Sequence, residues 1–145
     1  MAIFIHDQYT RKAIEVVNKG QSLFITGKAG TGKTMLLRKI HEECKKRGRQ
    51  VAVCSPTGVA AKNAGGVTLH HFLKIPISIY IPGHKLRGLY SLNDEEQTVV
   101  QRLDALIIDE VSMVRCDLLD MVDEILRHYH IKARLMKKSL EPELK

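Results

Sequence analysis

"FITGKAGTGKTML", Phe24 to Leu36, decides how the rest of the chain is read. Inside it, Gly27, Gly32, Lys33 and Thr34 fill the spacing G-x-x-x-x-G-K-[ST]. An apolar run, Ser22 to Thr26, precedes it and reads as a strand. A helix follows from about Lys33, with Leu36, Leu37, Ile40 and Cys44 facing inward and an end near Gly48. Strand, glycine-rich turn and helix start together let backbone N–H groups curl around phosphate oxygens, and the helix N-terminus adds partial positive charge. Gly27, Lys28, Ala29, Gly30, Thr31, Gly32, Lys33 and Thr34 are therefore the candidate cradle for a nucleotide's phosphate chain. The Lys33 ammonium is placed to reach the β- and γ-phosphates, and the Thr34 hydroxyl to hold Mg²⁺.

Outward from the cradle, helices alternate with strands. Asp7 can cap a first helix with Tyr9, Ala13, Val16 and Val17 on one face, stopped by Asn18 to Gly20. Gln50 to Ser55 reads as a second strand, and Pro56 opens a helical stretch through Ala60 and Ala61. Between Lys74 and Asn93 the periodicity fades into a loop marked by Pro76, Pro82, Gly83 and Gly88. Asn93 and Glu96 have the spacing of a capping box. Asp104 to Glu110, "DALIIDE", reads as a buried strand ending in acid. A helix with Leu118, Val122, Ile125 and Leu126 at core spacing follows. This alternation predicts an α/β fold, a parallel sheet with helices on both faces. Such a sheet delivers Asp109 and Glu110 to its C-terminal edge, where ligands bind. There Asp109 suits a Mg²⁺ ion, and Glu110 suits a water attacking the γ-phosphate. An adjacent acid pair favours hydrolysis over small-molecule phosphotransfer.

The 145 residues fit one domain, and 44% are hydrophobic. No run approaches the roughly 18 apolar residues that span a bilayer. No signal peptide is evident in "MAIFIHDQYTRK", and Cys44, Cys54 and Cys116 suggest neither a metal site nor a disulfide framework. The expected setting is cytoplasmic, with nucleoid association possible, and no membrane. A formal charge of +7 favours an anionic partner such as nucleic acid.

Four blocks, "DQYTRKAIEVV", "FITGKAGTGKT", "VAVCSPTGVAAKNAGGVTLHHFL" and "DALIIDEVSMVRCDLLDMVDEILR", carry a resemblance. Together they cover most of residues 7 to 128. The chain resembles the first RecA-like domain of the Pif and RecD-like DNA helicases, superfamily-one P-loop motors that run along single-stranded DNA. The resemblance implies ATP and Mg²⁺ as cofactors and single-stranded DNA as partner. It implies that Gln8 reads adenine, which an amide can do with its donor and acceptor; a solvated helix residue is the alternative. It also implies that Ser55, Pro56, Thr57 and Gly58 touch the strand, and that Thr68, Leu69, His70 and Phe72 form a second DNA-facing patch. Phe72 could stack on a base, although its spacing fits a core position better. Lys74, Lys85, Arg87, Tyr80 and Tyr90 could line a strand path or simply form a solvated loop.

After "EILRHY" these blocks stop. Family members continue into an apolar strand that lies between the cradle strand and the acidic strand; "HIKARLMKKSLEPELK" offers only Ile131 to Met136 in its place. The expected organisation is a partial RecA-like ATPase domain over residues 1–129 and a basic tail over 130–145, with the sheet incomplete. The second motor domain of the family, with its arginine, has no counterpart here, so a protein partner could supply it. The reading is thus an ATP-binding module of a helicase-type motor, not competent alone. The alternative is an inert nucleotide- or DNA-binding fragment acting through a partner.

Overall fold

The computed structural model describes residues 6–28, 30–77 and 92–140. Elements follow in the order α1 (His6–Asn18), α2 (Lys33–Lys46), β1 (Val51–Ser55), α3 (Gly58–Ala64), β2 (Val67–Thr68), α4 (Leu69–Leu73), α5 (Asp94–Gln101), β3 (Ala105–Ile108) and α6 (Cys116–Leu140). The three strands form one parallel sheet in the order β2-β1-β3. Val51 is level with Ala105, and Cys54 with Ile108 on one side and Val67 on the other.

Alternation along β1 sorts the helices onto two faces. Val51 packs with Ala13, Ile40 and Cys44, and Val53 packs with Leu37 and Ala64, so α1, α2 and the end of α3 lie on one side. Cys54 faces the other way, into the larger core of Leu69, Leu73, Val100, Leu118, Met121, Val122, Ile125 and Tyr129 from α4, α5 and α6. The fold is therefore the expected parallel sheet with helices on both faces.

The helix termini follow their local chemistry. Asn93 Oδ1 accepts the Glu96 N–H and a Glu96 carboxylate oxygen accepts the Asn93 N–H, so the capping box of α5 is complete. The Thr57 and Thr68 hydroxyls cap α3 and α4 by accepting the N–H groups of Ala60 and His71. Gly66 lies against β1, and a Cβ there would run into the Val53 carbonyl oxygen.

Two expectations are corrected. Ser22 to Thr26 is not a strand: it pairs with no described residue, and Phe24 is 73% exposed. The apolar content is there, but a strand needs a neighbouring ladder, and β3 has β1 on one side and no described strand on the other. Tyr9 is exposed, while Thr10 and Ala13 are buried, so the inward face of α1 is turned by one residue. Ile131 to Met136, a poor central strand for its two internal basic residues, lies in α6, which runs to Leu140.

Candidate nucleotide site

Gly32 precedes α2 in the left-handed region, φ 82°, which a side chain disfavours. The turn it creates leaves the first N–H groups of α2 pointing into the loop. The Lys33 ammonium folds back over the loop and donates to the carbonyls of Gly27 and Lys28, both at 2.8 Å. The Thr31 hydroxyl donates to the same Lys28 carbonyl at 2.8 Å. A Cβ at Gly27 would stand 3.0 Å from Thr31 Oγ1, so a side chain there would have to displace the Thr31 hydroxyl slightly. Thr34 is half-buried in the first turn of α2; Ala29 lies outside the described residues.

Asp109 and Glu110 leave the sheet at the end of β3. The Asp109 N–H donates to the Cys54 carbonyl at 2.9 Å, which holds it level with the end of β1. Asp109 Oδ1 accepts the Glu110 N–H at 3.0 Å. Glu110 itself is exposed and takes a left-handed backbone, φ 55°, uncommon for a residue with a side chain. That conformation turns the chain sharply out of β3 into a short 3₁₀ turn, Val111–Met113.

Parallel register places the strand ends side by side: Thr68, Ser55 and the position of Asp109 form a row at the C-terminal edge. Thus the acid pair and two segments expected to touch DNA share one edge of the sheet. The chemistry of the set suits a magnesium nucleotide. Thr34 and Asp109 offer hard oxygen ligands of the kind Mg²⁺ takes, and the Lys33 ammonium already sits on oxygen acceptors in the loop. Among the described residues, no group of three or more His, Cys, Asp or Glu side chains gathers as a separate metal site.

The remaining candidates distribute unevenly. Gln8 is exposed on the first turns of α1. Thr57 and Thr68 are half-buried and spend an oxygen lone pair on capping, while Gly58 is exposed and Pro56 half-buried. His70 is half-buried, and Phe72 packs against the main core, as its spacing suggested. Ser55 departs from expectation: it is fully buried, and its hydroxyl has no hydrogen-bond partner. Here β1 is covered on both faces, so its last side chain points inward, not toward a strand of DNA. Tyr80, Lys85, Arg87 and Tyr90 lie outside the described residues. The left-handed turn at Glu110 was not foreseen; no composition signal marks a glutamate that must adopt it.

The profile of the PIF1-like helicase family matches residues 6–138. The chain belongs to that family. The match runs past Tyr129, further than the four blocks reach. The ATP-dependent DNA helicase PIF1 of Emericella nidulans is 42% identical over 129 residues, 86% of this chain and 17% of that protein. Human PIF1 is 41% identical over 114 residues, 79% of this chain and 17% of its own length. The chain thus spans under a fifth of the curated relatives it matches here. Bacteroides Pif1 bound to single-stranded DNA superposes with a TM-score of 0.75 at 36% identity, covering 88% of this chain and 28% of that one. The same coverage, identity and score hold for Bacteroides Pif1 in complex with ADP-AlF4. A Pif1 structure addressing DNA unwinding at forked duplexes by two coordinating helicases gives 0.77 at 37% identity, covering 89% of this chain and 30% of that one.

Proposed function

We propose that this chain is the ATP-binding module of a helicase-type motor, in the intact family coupled to movement along single-stranded DNA. The observation that carries it is the tight Gly-rich turn before α2, with the Lys33 ammonium folded over it, in a chain of the PIF1-like family. In this reading Gln8 contacts the adenine, and the backbone N–H groups from Lys28 to Thr34 surround the phosphates. The Lys33 ammonium exchanges the carbonyls of Gly27 and Lys28 for the β- and γ-phosphate oxygens, so its charge is neutralised better than in the free loop. Thr34 and Asp109 hold Mg²⁺, which when bound neutralises charge on the phosphates. Glu110 orients the attacking water and accepts its proton. The DNA strand runs past Pro56 to Gly58 and Thr68 to Phe72, drawn by a basic chain. A protein partner that supplies the second motor domain belongs to the same reading, as does an intracellular setting.

A second reading, an inert fragment that binds nucleotide or DNA for a partner, is favoured by the Ser22 to Thr26 run and the far side of β3, both unpaired among the described residues. Titration with a fluorescent ADP, in Mg²⁺ and in EDTA, tests what both share. Affinity should depend on Mg²⁺ and fall about tenfold or more in Lys33→Ala, one charged contact being worth about 1.5–3 kcal/mol. Equal affinity of wild type and Lys33→Ala would count against the cradle. Labelled oligo(dT) should bind weakly, and less as salt rises. Steady-state turnover above a Glu110→Gln blank separates motor module from inert fragment.

A further inference from the structure

Ser55 closes β1 on the face that carries Val53, the side covered by α2 and the end of α3. Its side chain is fully buried and its hydroxyl has no partner among the described residues. Buried hydroxyls are rarely left so, because an unmet donor costs free energy that a methyl in its place would not. The neighbour that could use it is close in register. Cys54 is level with Ile108 and accepts the Asp109 N–H at 2.9 Å, so Ser55 is level with Asp109. Residues level on adjacent parallel strands direct their side chains to the same face. Asp109 is half-buried, and its Oδ1 takes the Glu110 N–H at 3.0 Å. Its second carboxylate oxygen has no protein donor among the described residues.

We propose that Ser55 is a positioning residue for Asp109, its hydroxyl donating to the Asp109 carboxylate when that carboxylate turns onto a divalent cation shared with Thr34. This role presupposes Asp109 as a metal carboxylate, as proposed above. A metal-bound carboxylate without a second hydrogen bond is loosely aimed, and outer partners of this kind typically carry 10- to 100-fold in metal affinity. This bond would give the Ser55 hydroxyl the partner it lacks among the described residues.

The test compares wild type, Ser55→Ala, Ser55→Thr, Asp109→Asn and the Ser55→Ala/Asp109→Asn double variant. Melting temperature without ligand is measured alongside fluorescent-ADP affinity in Mg²⁺ and in EDTA. Ser55→Ala should melt at or above the wild-type temperature, yet lose about tenfold or more of the Mg²⁺-dependent affinity. Its EDTA affinity should stay the same. Ser55→Thr, which keeps a hydroxyl, should retain the Mg²⁺ dependence. In the Asp109→Asn background the Ser55→Ala change should add nothing. Several results would overturn the role: unchanged Mg²⁺ dependence in Ser55→Ala, equal losses in Mg²⁺ and EDTA, a lowered melting temperature, or a loss confined to oligo(dT) binding. The last would return Ser55 to the DNA strand. A wild type with no Mg²⁺ dependence at all would sink the metal reading of Asp109, and this role with it.

Discussion

Cys54 lies in β1 next to its last residue, and burial pushes its thiol up to about 12. Burial also raises Cys44, whereas Cys116 is exposed at the start of α6. The thiolate is the reacting form, so at neutral pH neither buried thiol should react in the folded protein. A thiol-specific chromogenic reagent should titrate one group promptly and three only in denaturant. Prompt reaction of two or three groups in native buffer would mean that the β1 layer opens readily. At this scale the Gly-rich turn before α2 was legible in the sequence, because Gly32 and Lys33 act through the backbone beside them. Ser55 was not: its segment suggested a DNA contact, but burial from both sides depends on helices far along the chain.

Among elements, the join from α3 to β2 depends on Gly66. A Cβ there meets the Val53 carbonyl oxygen, so Gly66→Ala must push α3 off β1 or break the β1–β2 pairing. Overpacking of this kind costs about 1–3 kcal/mol. Gly58 has open space around it and opens α3, so Gly58→Ala should be neutral or slightly stabilising. Thermal melts of the two variants should move in different directions or by clearly different amounts. Equal melting temperatures would remove the steric reason for Gly66. The capping box of α5 makes a pH prediction. Glu96 is held below its usual 4.5 by the Asn93 backbone N–H and then by Lys74, whose ammonium is 3.2 Å away. A depressed carboxylate contributes stability above its unfolded value, and that contribution disappears as pH falls through the lower folded value. Melting should therefore drop between pH 5 and the region below 4, and Glu96→Gln should drop less over the same interval. An identical acid slope in both proteins would show that Glu96 is not responsible. This capping box was readable from Asn93 and Glu96 alone, since its bonds span three residues. Its tie to Lys74 was not readable, because Lys74 is 22 positions away in the chain.

For the whole molecule, the question is whether the two halves of the site are held in register. α2 is seated on β1 through Leu37, Ile40 and Cys44, but the run that leads into the cradle pairs with no described strand. Asp109 sits on β3, whose far edge is likewise unpaired among the described residues. A looseness of about 1 Å between reacting groups can cost about 10²-fold. The 145-residue chain by itself should therefore turn ATP over slowly. Turnover is measured against Glu110→Gln as the blank for contaminating ATPases. Rapid, DNA-stimulated, Glu110-dependent hydrolysis would mean that self-association or some other part of the chain closes the site.

The sequence by itself determined the cradle, the acid pair, the α/β alternation and the PIF1-like membership. Each rests on short-range spacing or on residues whose chemistry acts locally. Only the tertiary structure decided that Ser22 to Thr26 is not a strand, that Tyr9 faces outward and Thr10 inward, that Ser55 is fully buried, and that Glu110 turns left-handed. Those outcomes depend on partners supplied by distant segments. A ladder needs a second strand, and burial needs a covering helix. A strained turn needs a fixed strand before it.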